Sequence, residues 1–335
     1  MNKIWNELLG FETRDIVERY IKKRFNRKLS EERILQIASN FIQGREYFKS
    51  SQSSSITVRP LLQYYGVMAL SKGLILSLDL YKTEAQLKGS HGLEVKNWKE
   101  ILKKRDFENI EITVRDGTFT ELLEATQNKN YLRANSSHVN YGSSLKAPRN
   151  NDKLKLKKLI QYFPDLNSEY SSWLDETLHF AILNTLKNDF DNKKVIIELQ
   201  GKVENKTIEL LFPIEYCPSK EITFEQGKTL LTFDECDWYP NITQRWHGAF
   251  DIGDACIIPT LHNDIGLNLL GGIYMISYVF GMMARYHPST WMALQRIEKG
   301  DKIYPFVHRI LEFIDDKYPR IILDFLKGPY DFENT

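Results

Sequence analysis

Cysteine is scarce in this chain, and the three that occur stand far apart. Cys217, Cys236 and Cys256 form no C-x-x-C pair, and no histidine lies near them at zinc-finger spacing. An odd, scattered set argues against a disulfide framework and a structural zinc site, and it points to a reducing cytoplasm. Charge of one sign is not in excess either: Lys+Arg of 45 against Asp+Glu of 44 leaves a net +1. Without a global field, binding to nucleic acid or to an anionic membrane requires a local patch. Common catalytic and cofactor signatures are also missing. No Walker loop, G-x-G-x-x-G, G-x-S-x-G elbow or H-E-x-x-H occurs. The seven histidines are scattered, and Trp246-His247 and Leu261-His262-Asn263-Asp264 lack a third partner, so no metal and no cofactor is expected.

Long apolar runs are nearly absent. Met1-Asn2-Lys3-Ile4-Trp5-Asn6-Glu7 holds no core of signal-peptide length. Ile265 to Ala284 is uncharged and just long enough to span a bilayer. It stands alone between amphipathic helical patterns and contains Asn268, Ser277 and four glycines. A buried core helix is the expectation, with no membrane partner.

What remains is ordinary globular material: 335 residues, 42% hydrophobic and 27% charged, enough for one large domain or two small ones. Ser30-Glu31-Glu32-Arg33 offers a capping serine with acids in the first turn, ahead of Ile34, Ile37, Ala38, Phe41 and Ile42 at helical spacing. The serine run 50–55 ends that helix, and Pro60 starts another, apolar all round from Leu61 to Leu78 with Lys72 its one charge. Glu111 to Arg115 alternates as a strand and stops at Asp116-Gly117. Ser172 to Phe190 reads as helix. Lys194–Leu199 with Thr207–Phe212, and Glu221–Phe224 with Thr229–Phe233, read as two hairpins.

The expected architecture is α+β and predominantly α-helical, a helical body from both chain ends with a small antiparallel β insert. Residues 1–190 form the N-terminal helical region with a short strand near 111–115. Residues 191–260 form the β-rich insert, and 261–335 the C-terminal helices that pack on the N-terminal body as one composite domain.

Four segments resemble the YaaC-like family of bacteria. Arg59-Pro60-Leu61-Leu62-Gln63-Tyr64-Tyr65-Gly66 leads into a helix carrying Lys72. His91-Gly92-Leu93 follows, then Asp116-Gly117-Thr118-Phe119, and finally Ala284-Arg285-Tyr286-His287-Pro288-Ser289-Thr290-Trp291. Each is short, but their order and separations are similar to the family's, except over 120–260. The resemblance implies a bacterial intracellular protein with a helical body and implies no activity.

The charges at the ends of the two most apolar helices are the candidate site. Lys72 either reaches solvent or a carboxylate such as Glu46, or meets an anion. Arg59 opens the same helix, where free N–H groups suit phosphate, or else pairs with an acid. Arg285 and His287 end the second helix, in a place that suits a cation electrostatically whether or not it has a function. His91, in a glycine-bounded loop, is an acid–base candidate, as is His287. If the segments near 65 and 275 lie side by side, Arg59, Tyr65, Lys72 and Arg285 would bind a nucleotide or RNA end, with His91 and His287 as the catalytic pair of any hydrolase. A different reading is a non-catalytic subunit of a bacterial stress or phage-defence complex, meeting a protein partner through Trp238, Tyr239 and Trp246 of the β insert. A third is a HEPN-like ribonuclease acting as a homodimer, for which Arg285 and His287 stand closer together than that class places them. Whether the chain is an enzyme stays open at this point.

Overall fold

In the computed structural model, residues 3–133, 140–215, 217–234, 246–248, 255–259, 261, 265–295 and 302–327 are described. The N-terminal third is helical: α1 (Lys3–Leu8), α2 (Arg14–Phe25), α3 (Glu31–Ser53) and α4 (Arg59–Leu78). Then come β1 (His91–Val95), α5 (Trp98–Lys104), β2 (Glu111–Gly117) and α6 (Thr118–Ala125). β3 (Lys129–Arg133), β4 (Asn140–Ser144), β5 (Lys153–Lys155), α7 (Leu156–Ile160) and α8 (Asn167–Leu174) lead into the part richest in strand. That part holds β6 (Ala181–Asp189), β7 (Lys194–Leu199), α9 (Asn205–Leu211), β8 (Glu221–Glu225), β9 (Lys228–Asp234), β10 (Trp246–Gly248) and β11 (Ala255–Ile257). α10 (Leu269–Tyr286), α11 (Pro288–Ala293) and α12 (Ile303–Lys327) follow. The fold is α+β and mostly helical, with antiparallel sheets.

The chain divides into two compact units. The first comprises Met1–Asn128, Ala147–Lys157 and Leu267–Gly328, so it is built from both ends of the sequence. Its centre is α4, which is buried along most of its length from Pro60 to Ser77 and packs against α3, α6, α10 and α12. Glycines let the helices approach: a Cβ on Gly281 of α10 would stand 2.8 Å from the Tyr64 Cβ. α10 is buried continuously from Leu269 to Met283, so the uncharged stretch is a core helix, as expected. Asn268 caps it, accepting from the Gly271 amide at 2.8 Å. By length and composition α4 is apolar enough to cross a membrane, but two-thirds of that window is buried inside the fold.

A helix buried on so many sides must satisfy its polar groups internally. On the face toward α12, Arg59 donates to Asp315 at 2.7 Å and Gln63 donates to the same carboxylate at 2.6 Å. Asp315 is only 7% exposed and Arg59 16%. Burial pushes the Asp315 carboxyl up, against the downward pull of Gln63 and Arg59. The Ser71 and Tyr318 hydroxyls form a second tie at 2.6 Å. In the same unit β1, β2 and β5 make a three-stranded antiparallel sheet.

The second unit comprises Lys129–Lys146, Lys158–Gly266 and Pro329–Thr335. Its six-stranded sheet has the order β10-β11-β6-β7-β9-β8, each neighbour antiparallel. Val195, Ile197 and Leu199 of β7 share a core with Leu231 and Phe233 of β9. β3 and β4 form a separate two-stranded sheet.

Two sequence expectations need correction here. The helix expected over 172–190 stops at Leu174, where Asp175 takes a left-handed conformation (φ 55°) and its amide bonds back to Ser171. Residues 181–189 are instead β6, held between β7 and β11. The strand expected over 207–212 is helix α9, which points Ile208 and Leu211 into the core and leaves Leu210 exposed. The hairpin over 221–233 and the strand over 194–199 form as expected, but β7 pairs with β6 and β9.

Removing Asp315 leaves Arg59 without its carboxylate and Gln63 with only the Leu311 carbonyl as acceptor, at 2.7 Å. Asp315→Ala is therefore expected to cost about 3–5 kcal/mol, and Gly281→Ala about 1–3 kcal/mol by overpacking Tyr64. Urea unfolding followed by circular dichroism measures both. A loss under about 1 kcal/mol for Asp315→Ala would show that the pair contributes little.

Candidate functional site

His91 is the first residue of β1 rather than part of a loop, and the reason lies in two glycines. Gly92 adopts φ +80°, a conformation that side chains resist, and a Cβ on Gly117 would fall 2.6 Å from the Gly92 Cα. The two backbones can therefore meet, with His91 opposite Gly117 in the β1–β2 register. The Thr118 amide donates to the Ser90 carbonyl at 2.9 Å, and the Ser90 hydroxyl to the Asp116 carbonyl at 2.6 Å. Phe119 is fully buried, its ring 5.7 Å from Tyr274. The His91-Gly92 and Asp116–Phe119 segments thus form one clasp that holds His91 against the helices.

The imidazole sits among tyrosines. Its ring centre lies 5.4 Å from Tyr64 of α4 and 5.8 Å from Tyr278 of α10, and the Tyr274 hydroxyl donates to its carbonyl oxygen at 3.1 Å. Burial raises the pKa of all three tyrosines, that of Tyr278 to about 12, so they stay neutral. The Nδ1 of His91 is enclosed and has no hydrogen-bond partner. Burial first, then the positive charges of Arg285 and Lys72, lower its pKa below 6.5.

Lys72 is half-buried and makes no ion pair among the described residues. Glu46 pairs with Arg45 at 2.7 Å instead. Arg285 is exposed, donates to the Tyr65 hydroxyl at 3.0 Å and lies 5.0 Å from the Tyr286 ring centre. Tyr65 stacks loosely on Tyr47 at 5.6 Å. His287 turns to a different neighbour, the Trp98 ring at 5.1 Å, and burial lowers its pKa as well.

The structure therefore links Tyr65, His91 and Arg285 through Tyr64, leaves Lys72 half-buried about two turns along α4 from Tyr65, sets His287 against Trp98, and commits Arg59 to Asp315 on the face of α4 toward α12. Tyr64, Tyr274, Tyr278 and Trp98 were missed by sequence reasoning. Tyr274 and Tyr278 stand four apart in an uncharged part of the helix, a spacing that puts both on one face and could have marked them. Among the described residues no group of three His, Cys, Asp or Glu side chains could hold a metal ion. The cavity of about 500 Å³ around Tyr81 has none of the candidate residues in its lining, and one of about 430 Å³ around Phe224 belongs to the second unit. Trp238 and Tyr239 lie outside the described residues, and of Trp246 only its place in β10 is described.

The low pKa of His91 has a stability consequence. Below about pH 6.5 the unfolded chain takes up a proton at this position before the folded chain does, so stability falls with pH there. His91→Gln is expected to flatten that slope, read as unfolding midpoints between pH 7.5 and 5. An unchanged slope would show that His91 titrates freely in the fold.

The four segments that resembled the YaaC-like family meet in this one region. Tyr64, Tyr65 and Gly66 supply an inner ring, an outer hydroxyl and a close contact with Phe48. The last segment contributes Arg285 and His287 and ends at Trp291, fully buried with its indole N–H donating to the Ile56 carbonyl at 2.9 Å. No curated protein and no solved structure matches the chain. The sequence pattern of the YaaC-like protein family matches residues 9–326, nearly the whole length, and the chain belongs to that family.

Proposed function

We propose that the first unit binds a phosphate-bearing, base-containing ligand, a nucleotide or an RNA end, at Tyr65, Lys72, His91 and Arg285. One observation carries the reading. Arg285 reaches the Tyr65 hydroxyl, Lys72 stands about two turns further along the helix that carries Tyr65, and no described carboxylate pairs with either cation. An anion that accepts from either one gains a charge-assisted hydrogen bond. The rings of Tyr47, Tyr65 and Tyr286 offer faces on which a base can stack. His91 and His287 are the groups able to move a proton near neutral pH, should the ligand be turned over. Arg59, held by Asp315, has no part in this site.

Lys72→Ala and Arg285→Ala are each expected to weaken nucleotide binding about tenfold or more, as loss of a charge-assisted hydrogen bond does. Thermal-shift screening of nucleotides and short RNA ends, followed by calorimetry, reads this. Equal binding by wild type and Lys72→Ala would remove Lys72, and no response to any of these ligands would remove the ligand class.

A second reading, a protein partner met through the β-rich region, is favoured by a different observation. β8 ends its sheet, and its Ile222 and Phe224 are 40% and 51% exposed. An apolar edge strand without a protecting lysine or proline accepts another chain readily. This suits a subunit of a bacterial stress or defence assembly. Co-purification from the native host that is lost in Phe224→Asp and kept in Lys72→Ala is the expected pattern. Recovery of the same partner by Phe224→Asp would exclude this edge.

A further inference from the structure

The core face of the second unit extends beyond its cover. Across the six-stranded sheet, Ile197 of β7 stands opposite Leu231 of β9, which stands opposite Ile222 of β8, and Leu199, Thr229 and Phe224 form the next row. Residues directly opposite one another share a face. Ile222 and Phe224 therefore belong to the face on which Ile208 and Leu211 of α9 pack. The helix shields β7 and β9 but stops short of β8: Ile197, Leu199, Thr229 and Leu231 are buried, whereas Ile222 and Phe224 are exposed. The gap is a groove of about 430 Å³ between α9 and the edge strand, lined by Val203, Ile208, Thr229, Ile222 and Phe224. The Lys202 ammonium lies on the groove side, 5.6 Å from the Phe224 ring centre.

The backbone of β8 is open along the same edge. A two-residue turn, Gln226-Gly227 at φ 48° and 77°, joins it to β9 with Glu225 opposite Lys228. In such a hairpin the pair flanking the turn exchanges hydrogen bonds, and bonded and unbonded pairs alternate from there. Glu221, Thr223 and Glu225 thus spend their amides and carbonyls on β9. Ile222 and Phe224 turn theirs outward, and among the described residues no strand meets them. Side chains alternate as well: Ile222 and Phe224 face the groove, and Glu221, Thr223 and Glu225 the other side of the sheet. There Lys194 approaches Glu221 only to 3.6 Å, and Lys228, opposite Glu225, is bonded to Glu198 at 2.6 Å.

Resting on the second reading above, we infer that β8 takes up an antiparallel peptide strand in which two apolar residues, one residue apart, are flanked on both sides by lysine or arginine. The apolar pair stands opposite Ile222 and Phe224, exchanges backbone hydrogen bonds with them and fills the groove. The flanking cations stand opposite Glu221 and Glu225, on the other face and away from Lys202. A second copy of β8 does not meet this requirement. Paired antiparallel about Thr223, it sets Glu221 against Glu225 at both ends, and like charges directly opposite are destabilising.

The probe is a blocked, dye-labelled heptapeptide alternating lysine with valine, compared with one in which glutamate replaces lysine. Both are titrated with the full chain and followed by fluorescence anisotropy. The lysine peptide is expected to bind about tenfold tighter than the glutamate peptide, because two opposite-charge pairs replace two like-charge ones. Glu221→Lys combined with Glu225→Lys is expected to reverse that preference, a gain that a merely misfolded variant does not show. Phe224→Asp, at an exposed position, is expected to lose the lysine peptide. Equal binding of the two peptides, failure of both, or a preference unmoved by the double charge reversal would overturn the inference. A native partner that still depends on Phe224 would in that case leave the edge standing as a contact surface. Self-association in the ultracentrifuge that disappears in Phe224→Asp would overturn the inference by giving the edge to a second copy.

Discussion

The burial of α4 on nearly every side is the constraint from which the rest of the first unit follows. An apolar helix in that position contributes a large hydrophobic stabilisation, but any polar group it carries must find a partner in the core or an outlet to water. The two solutions lie on different faces of the helix. Toward α12, Arg59 and Gln63 converge on the Asp315 carboxylate, a network that fixes the start of α4 to the middle of α12. Toward β1 and α10, Tyr64 remains inside against His91 while Tyr65 reaches Arg285, and Lys72 is half-buried with no ion pair among the described residues. One helix thus carries a structural ion pair and a candidate ligand surface, and only the second leaves cations without counter-ions.

This division explains why only part of the site was legible in the sequence. Lys72, His91 and Arg285 stood out because charged residues in or beside apolar segments demand a reason, and the structure connects His91 to Arg285 through Tyr64 and Tyr65. Arg59 drew attention on the same ground, yet its partner lies 256 residues away, and no local pattern announces such a pairing. Tyr274 and Tyr278 were overlooked because tyrosine in an apolar helix reads as core, which Tyr274 is; their bearing on His91 depends on which way α10 is turned.

The fold was legible to a similar degree and for related reasons. Helices with caps or unbroken apolar faces, such as α3, α4 and α10, are determined locally. Strand β6 is not: its residues are largely exposed, its apolar members fall by chance at helical intervals, and it exists through its ladders with β7 and β11. Helix α9 misled in the opposite sense, since a stretch of seven residues rich in Ile, Leu and Thr is ambiguous until one knows which side faces the core. Two of the four family segments prove to form one clasp, because Gly92 and Gly117 allow two strands to touch and so set the histidine in place against Tyr64 of a third.

Construction of the first unit from both chain ends has a cost during synthesis. When α4 leaves the ribosome, α3 is ready to cover one side of it, but α10 follows only after about 190 further residues, or roughly ten to forty seconds of translation. Throughout that interval the most apolar face in the molecule is available to any other nascent chain. The cell must therefore shield it, and the residues that make the mature helix so secure are the ones that leave the growing polypeptide most exposed to aggregation.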